Sequence, residues 1–261
     1  MDDIAIASGH FSDHMTHLNT VFNILRKNRL TINPTKAHIG YSELEFLGHA
    51  ISASGVRISD LKTKAIQKLV AAKTKKALQR TLGLLNSFRR HIPNYSARTH
   101  SIRQLLKSDT KFEWSDDCQA ELDDIRDVLT KAPILAPFRS DRKIYMYTDA
   151  EKTGLGSVCL QFYDQNKPQV CSYMSLATSD AQQKWHFYQL ELYAIGMAFR
   201  QNETLFLQSE IEIFTDNAVC VALEKYKPMN ARETRLMAYL SQLNFKLRYI
   251  PGRMNRGTDA L

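Results

Sequence analysis

The chain has 261 residues, 44% of them apolar, which is room for two or three small domains with real cores. No apolar run approaches ~20 residues and no signal-like leader is present, so nothing points to a membrane. The formal net charge of +8 is concentrated: twelve Lys or Arg and no acid lie between Leu61 and Ser108, leaving the remainder at −4. A block of that kind needs open solvent or an acidic partner, and nucleic acid is the obvious one.

Taken in chain order, residues 2–8 read as a strand and 12–28 as an amphipathic helix with Met15, Leu18, Val21, Phe22 and Leu25 inward. Short strands are expected around 30–33, 44–51 and 56–58. Asp60 is placed to cap a helix running to about Ala72, and Thr74 another running to about His91, stopped by Pro93. The second helix sets Leu78, Leu82, Leu85 and Phe88 on one side. Lys75, Lys76, Arg80, Arg89 and Arg90 lie elsewhere on it as candidate phosphate contacts. A short helix follows at 98–107. Residues 113–131 form an acidic helix, with seven acids from Glu113 to Asp127 against one Arg, and Pro133 and Pro137 make a linker. These acids read as a solvated face that can pair with the basic block.

The last part alternates strand and helix: strands at 143–148, 155–163 and 169–176, a helix at 179–201, a strand at 210–215, helices at 217–225 and 230–242, a strand at 245–250, and a helix start at 258. That is α/β, three antiparallel strands first and parallel additions after. Cys118, Cys159, Cys171 and Cys220 are scattered without a CxxC pair, so neither zinc nor a disulfide framework is suggested. A reducing, intracellular compartment, cytoplasmic or nuclear, follows. His14 and His17 share a helical face but have no third ligand.

Four carboxylates carry the chemistry. Asp149 ends the apolar run Ile144–Thr148, Asp216 ends Ile211–Thr215, Glu191 lies in the long helix, and Asp259 follows Gly257-Thr258. Any one Asp after a strand is ordinarily a helix N-cap or turn former. Glu191 differs, because it falls in the apolar stripe of Trp185, Tyr188, Leu192, Ile195 and Phe199, where a lone carboxylate is costly. A metal shared with Asp149 and Asp216 would supply the partner it needs. Clustered hard oxygen ligands suit Mg²⁺ or Mn²⁺, and a pair of such ions can drive phosphodiester hydrolysis.

From Ile144 onward the chain resembles the ribonuclease H domain of reverse transcriptases from gypsy-type LTR retrotransposons. The resemblance rests on Tyr-Thr-Asp-Ala-Glu-Lys-Thr-Gly-Leu-Gly-Ser-Val (147–158), Glu-Leu-Tyr-Ala-Ile (191–195), Phe-Thr-Asp-Asn (214–217), Leu-Arg-Tyr-Ile-Pro-Gly-Arg-Met-Asn (247–255) and Thr-Asp-Ala-Leu (258–261). It implies a mixed five-stranded sheet with helices, and two Mg²⁺ held by Asp149, Glu191, Asp216 and Asp259, whose spacings of 42, 25 and 43 residues fit the family's layout. Tyr249 stands where cellular and retroviral relatives often carry a His, which implies substrate positioning without a proton shuttle.

Upstream, Met1-Asp2-Asp3-Ile4-Ala5-Ile6 resembles the family's Tyr-x-Asp-Asp palm hairpin without its Tyr, so Asp2 and Asp3 read as a polymerase-motif remnant. Leu30-Thr31-Ile32-Asn33-Pro34-x-Lys36 and Glu45–Ser52 also match, though Ala37 stands where Cys is frequent. The implied organisation is a truncated palm (1–60), a basic helical thumb (61–110), a connection (111–142) and the ribonuclease H domain (143–261). The chain starts inside the polymerase motif and stops two residues past Asp259. On this reading the fingers, most of the palm and a third polymerase carboxylate are absent, and primer extension by this chain alone is not expected. Three functions remain: an endoribonuclease acting on RNA/DNA hybrids; a catalytically silent, domesticated relic that binds nucleic acid or protein; and an accessory subunit of a polymerase. A second reverse transcriptase subunit or a second copy of the chain is the protein partner these readings allow.

Overall fold

The computed structural model describes residues 3–163, 167–206, 209–217 and 227–251. Helix α1 spans Phe11–Lys27 and is followed by a 3-10 turn at Pro34–Lys36. Strands β1 (Glu43–Phe46), β2 (His49–Ser52) and β3 (Gly55–Ile58) form an antiparallel meander. The expected strand at 44–51 is thus a hairpin. Leu47 (φ 51°) and Gly48 (φ 82°) make a two-residue turn with both residues left-handed. Leu47 is exposed and takes that conformation at a steric cost of ~1–2 kcal/mol, which its sequence does not advertise. Residues 3–8 and 29–33 are not strands. Among the described residues neither segment has a ladder partner, and Ile4, Leu30 and Ile32 are exposed, so no buried face holds them extended.

Next come α2 (Asp60–Gln67), α3 (Lys75–Ser87), a 3-10 turn (Arg89–His91), α4 (Tyr95–Arg98), α5 (His100–Gln104) and α6 (Asp116–Thr130). Ser59, not Asp60, caps α2 by accepting from the Lys62 N–H. Thr74 caps α3 through Ala77 N–H, as its sequence predicts, and Ser115 caps α6. The acidic helix α6 is amphipathic, and its apolar side is buried. It gives Ile125 and Leu129 to a core with Ile66, Leu85 and Phe88, and Cys118 and Leu122 to another with Leu78 and Ile102. Glu121 accepts from the Ser101 and Ile102 N–H groups, the other acids of the helix lie outward, and Asp124 pairs with Arg98.

The second layer is a five-stranded mixed sheet ordered β6-β5-β4-β7-β8, from β4 (Ile144–Ala150), β5 (Gly154–Phe162), β6 (Pro168–Ala177), β7 (Ile211–Thr215) and β8 (Phe245–Tyr249). β4–β5 and β5–β6 are antiparallel, whereas β4–β7 and β7–β8 are parallel, as expected. Helices α7 (Phe187–Gln201) and α9 (Ala231–Leu240), with the short α8 (Glu203–Phe206) between them in sequence, cover one face. Their core is Ile144, Met146, Ile195, Phe199, Ile211, Ile213, Leu236 and Leu240. Gly196 lets α7 and α9 close, since a Cβ there would stand 2.3 Å from Leu236 Cδ1.

Helix α7 begins eight residues later than expected. Ser179 and Gln182 bond each other's backbone and side chains, and His186 takes extended backbone as the N-cap, with Gln189 returning a 3.0 Å bond to its N–H. Trp185 therefore stands outside the helix. Its ring is held edge-on by Tyr193 and stacked by the Arg232 guanidinium. The helix expected at 217–225 lies almost wholly outside the described residues, as does Cys220.

The two layers dock through a short seam. Ser96 gives its N–H to Ser175 Oγ at 2.9 Å, and the two hydroxyls lie 2.8 Å apart, all buried. On the other side, β3 is bound to Leu135 by two backbone bonds of 2.8 and 2.9 Å. Gly55 is required there, because a Cβ at its φ of 134° would sit 2.2 Å from the Leu135 carbonyl oxygen.

Candidate active site

β4 and β7 run parallel as neighbours, so their carboxyl ends coincide. Asp149 is the penultimate residue of β4, and Asp216 directly follows Thr215 at the end of β7. Helix α7 crosses this edge and delivers Glu191, which is fully buried on the same face as Ile195 and Ala198. One oxygen from each carboxylate lies within 4.8 Å of the others. Three of the four sequence-predicted ligands are thereby brought together. Asp259 lies outside the described residues.

The electrostatics follow from this packing. The Ala150 N–H donates to Glu191 Oε1 at 3.2 Å. Among the described residues Glu191 Oε2 and Asp216 Oδ1 are buried with no hydrogen-bond partner. Burial, then the charges of Asp149 and Asp216, push the Glu191 carboxyl up to about 8. Burial and the Asp216 charge raise Asp149 as well. Carboxylates crowded this way are held together at a cost that a cation would remove. Two buried, unpartnered oxygens and an all-oxygen donor set fit a hard divalent ion such as Mg²⁺ or Mn²⁺.

The other sequence-predicted residues that are described fall at four places. Tyr249 ends β8, is paired in register with Thr215, the residue before Asp216, and is 54% exposed. Lys76 and Arg80 are exposed on α3, while the Lys75 ammonium is turned onto the Lys107 carbonyl. Arg89 lines a cleft against β6, and Arg90 is exposed on the same turn. Asp3 is exposed on coil, and Asp2 lies outside the described residues. Asp3 joins no metal-sized carboxylate group among the described residues.

Sequence reasoning missed a cleft of about 300 Å³ beside Asp149, walled by Asn94, Ser96 and His100 on one side and by Thr153, Gly156 and Ser175 on the other. It also missed Arg103, which shares the neighbouring cleft with Arg89. No periodicity or spacing marks these residues, because only the docking of the two layers puts them there.

Comparison with known proteins bears on both layers. Residues 114–213 match the family described as the RNase H-like domain found in reverse transcriptase, and residues 1–51 match reverse transcriptase (RNA-dependent DNA polymerase). The Tf2-3 and Tf2-4 transposon polyproteins of Schizosaccharomyces pombe are each 31% identical over 266 residues, covering 100% of this chain and 20% of the relative. The chain thus spans about a fifth of the length of these relatives. Among solved structures, foamy viral protease-reverse transcriptase in complex with RNA/DNA hybrid superposes with a TM-score of 0.77 at 20% identity, over 95% of this chain and 34% of that one. Its complex with dsDNA gives 0.75 at 21%, over 95% and 53%. The fold is therefore that of a reverse transcriptase with a ribonuclease H-like sheet.

Proposed function

We propose that this chain, which belongs with the reverse transcriptases of gypsy-type LTR retrotransposons, is a metal-dependent endoribonuclease that cuts the RNA strand of RNA/DNA hybrids. The observation that carries the proposal is the carboxylate trio, with two buried oxygens that have no partner among the described residues. Asp149, Glu191 and Asp216 would hold the divalent ions, with Asp259 proposed as a fourth ligand. Bound there, such ions supply an activated water and charge neutralisation for in-line displacement at phosphorus.

The chain's own residues do the positioning. The Ala150 N–H fixes one Glu191 oxygen and leaves the other turned into the cluster. The strand ends of β4 and β7 hold Asp149 and Asp216 rigidly, so little rearrangement is needed on substrate arrival. Tyr249, exposed at the β8 side, is proposed to orient the hybrid. The RNA strand is selected because its 2′-hydroxyl distinguishes it from DNA. The basic helices, with Lys76 and Arg80 outward, are proposed to hold the duplex by its phosphates.

Cys118, Cys159 and Cys171 are free thiols in buried positions, which supports a reducing, intracellular setting. Among the described residues no helix is long and apolar enough to cross a membrane. The test is cleavage of an end-labelled RNA strand in a hybrid, in Mg²⁺ and in EDTA. Cleavage confined to the Mg²⁺ arm, and to RNA, is expected; cleavage in EDTA overturns the metal assignment.

A further inference from the structure

We propose that the groove between the helical layer and the β6 edge of the sheet is a track for the strand being cut, with Arg89 and Arg103 as a phosphate clamp at the end away from Asp149; the inference rests on the ribonuclease reading above. Two clefts form this groove, of about 300 Å³ and about 340 Å³. The first holds Asp149 and the second holds Arg89 and Arg103, and both are lined by Ser175. The floor is continuous across the strands. Asp149 is in register with Gly156, and Gly156 with Ser175. Gly156 raises no side chain between them. Two strand spacings separate Asp149 from Ser175, roughly 10 Å. That spans the near cleft only; Arg89 and Arg103 line the cleft beyond Ser175.

Charge sets the occupant. Of the arginines, Arg57, Arg98, Arg126, Arg139 and Arg248 are all committed to carboxylates. Arg89 and Arg103 have no such ion pair among the described residues, and both flank Tyr95 at the cleft wall. A groove with clustered carboxylates at one end and two uncommitted guanidiniums at the other fits a polyanion with evenly spaced charges. The strand lying along it is the one whose phosphate meets Asp149, so the clamp grips the RNA strand. Asn94 and His100, at the Asp149 end, line the same cleft and offer hydrogen-bonding groups to the strand.

The test compares wild type with R89A/R103A and R89K/R103K, using equilibrium binding of a fluorescent RNA/DNA hybrid across a salt series, alongside single-turnover cleavage. The alanine pair is expected to bind about tenfold more weakly near 0.1 M salt. Its log–log salt slope should be shallower by about 1.8, for two lost phosphate contacts. The lysine pair should keep the slope. With hybrids shortened stepwise from one end, the difference between wild type and the alanine pair should vanish once the strand no longer reaches the second cleft. If the alanine pair melts early, R89Q/R103Q serves the same comparison. An unchanged slope and affinity in a folded charge-removal variant overturns the clamp. A wild-type chain that binds hybrid but never cuts it overturns the ribonuclease reading, while the slope comparison still decides the groove.

Discussion

Replacing Glu191 by Gln should stabilise the metal-free protein at pH 8 even though it destroys the proposed site. Burial and two neighbouring carboxylates lift the Glu191 carboxyl from an ordinary 4.5 to about 8. The folded state therefore favours the protonated form. Below about pH 4.5 the group is protonated in both states and imposes no penalty. Between about 4.5 and 8 the unfolded chain ionises while the fold keeps its proton, so stability falls as pH rises; above about 8 the loss is complete. One pKa unit is worth about 1.4 kcal/mol, so the lift corresponds to at most about 5 kcal/mol. Gln is nearly isosteric and its carbonyl can still accept from the Ala150 N–H. If half of the lift is recovered, the variant gains about 2–3 kcal/mol, or roughly 5–10 °C in Tm. The assay is thermal unfolding in EDTA from pH 5 to 9. Wild type should lose Tm steadily across this range, E191Q should lose much less, and Mg²⁺ should raise the wild-type Tm at pH 8 more than that of the variant. A flat wild-type profile, or an E191Q Tm below wild type at pH 8, would refute the reasoning.

Changing Lys75, Lys76 and Arg80 together to Ala should weaken hybrid binding for all sequences alike and flatten its salt slope by up to ~0.9 per lost phosphate contact; a salt-insensitive wild type would reduce this face to solvated surface. The Lys75 ammonium is already engaged by the Lys107 carbonyl, so K76A/R80A should account for most of the effect. Primer extension by the purified chain should be absent, since Asp2 and Asp3 make at most part of a two-metal carboxylate set; template-dependent incorporation would contradict this. Gly55→Ala should cost about 1–3 kcal/mol, because the added Cβ meets the Leu135 carbonyl in a left-handed φ; urea unfolding with an unchanged midpoint would show that the 134–135 segment gives way freely.

Much of the site was legible because its residues break local rules. Asp149 and Asp216 terminate apolar runs with Thr-Asp, and the parallel pairing of those runs makes their ends meet. Glu191 was conspicuous as a carboxylate inside an apolar stripe, and the fold does bury it completely. What failed was local. Trp185 and Tyr188 fit helical spacing, yet His186 and Gln189 cap the helix after Trp185, and Arg232 from a distant helix holds the indole. The Leu47-Gly48 turn lies inside a stretch that reads as one strand, because Leu is a poor signal for a left-handed residue. The acidic helix is legible in the sequence, but which cores Cys118, Leu122, Ile125 and Leu129 enter depends on elements far from them in the chain. The groove could not be read at all. Ser96, Arg103 and Ser175 meet only through the docking of two layers far apart in sequence.

The most direct measurement is the cleavage of a labelled RNA/DNA hybrid in Mg²⁺ by wild type and by Asp149→Asn, with the product ends identified. Asn removes one of the three gathered charges with little change of volume. The account predicts that wild type releases RNA fragments with 5′-phosphate and 3′-hydroxyl ends. Asp149→Asn should lose cleavage by at least about 100-fold while keeping the wild-type circular dichroism and hybrid binding. Wild-type-level cleavage by Asp149→Asn would contradict the assignment of the site.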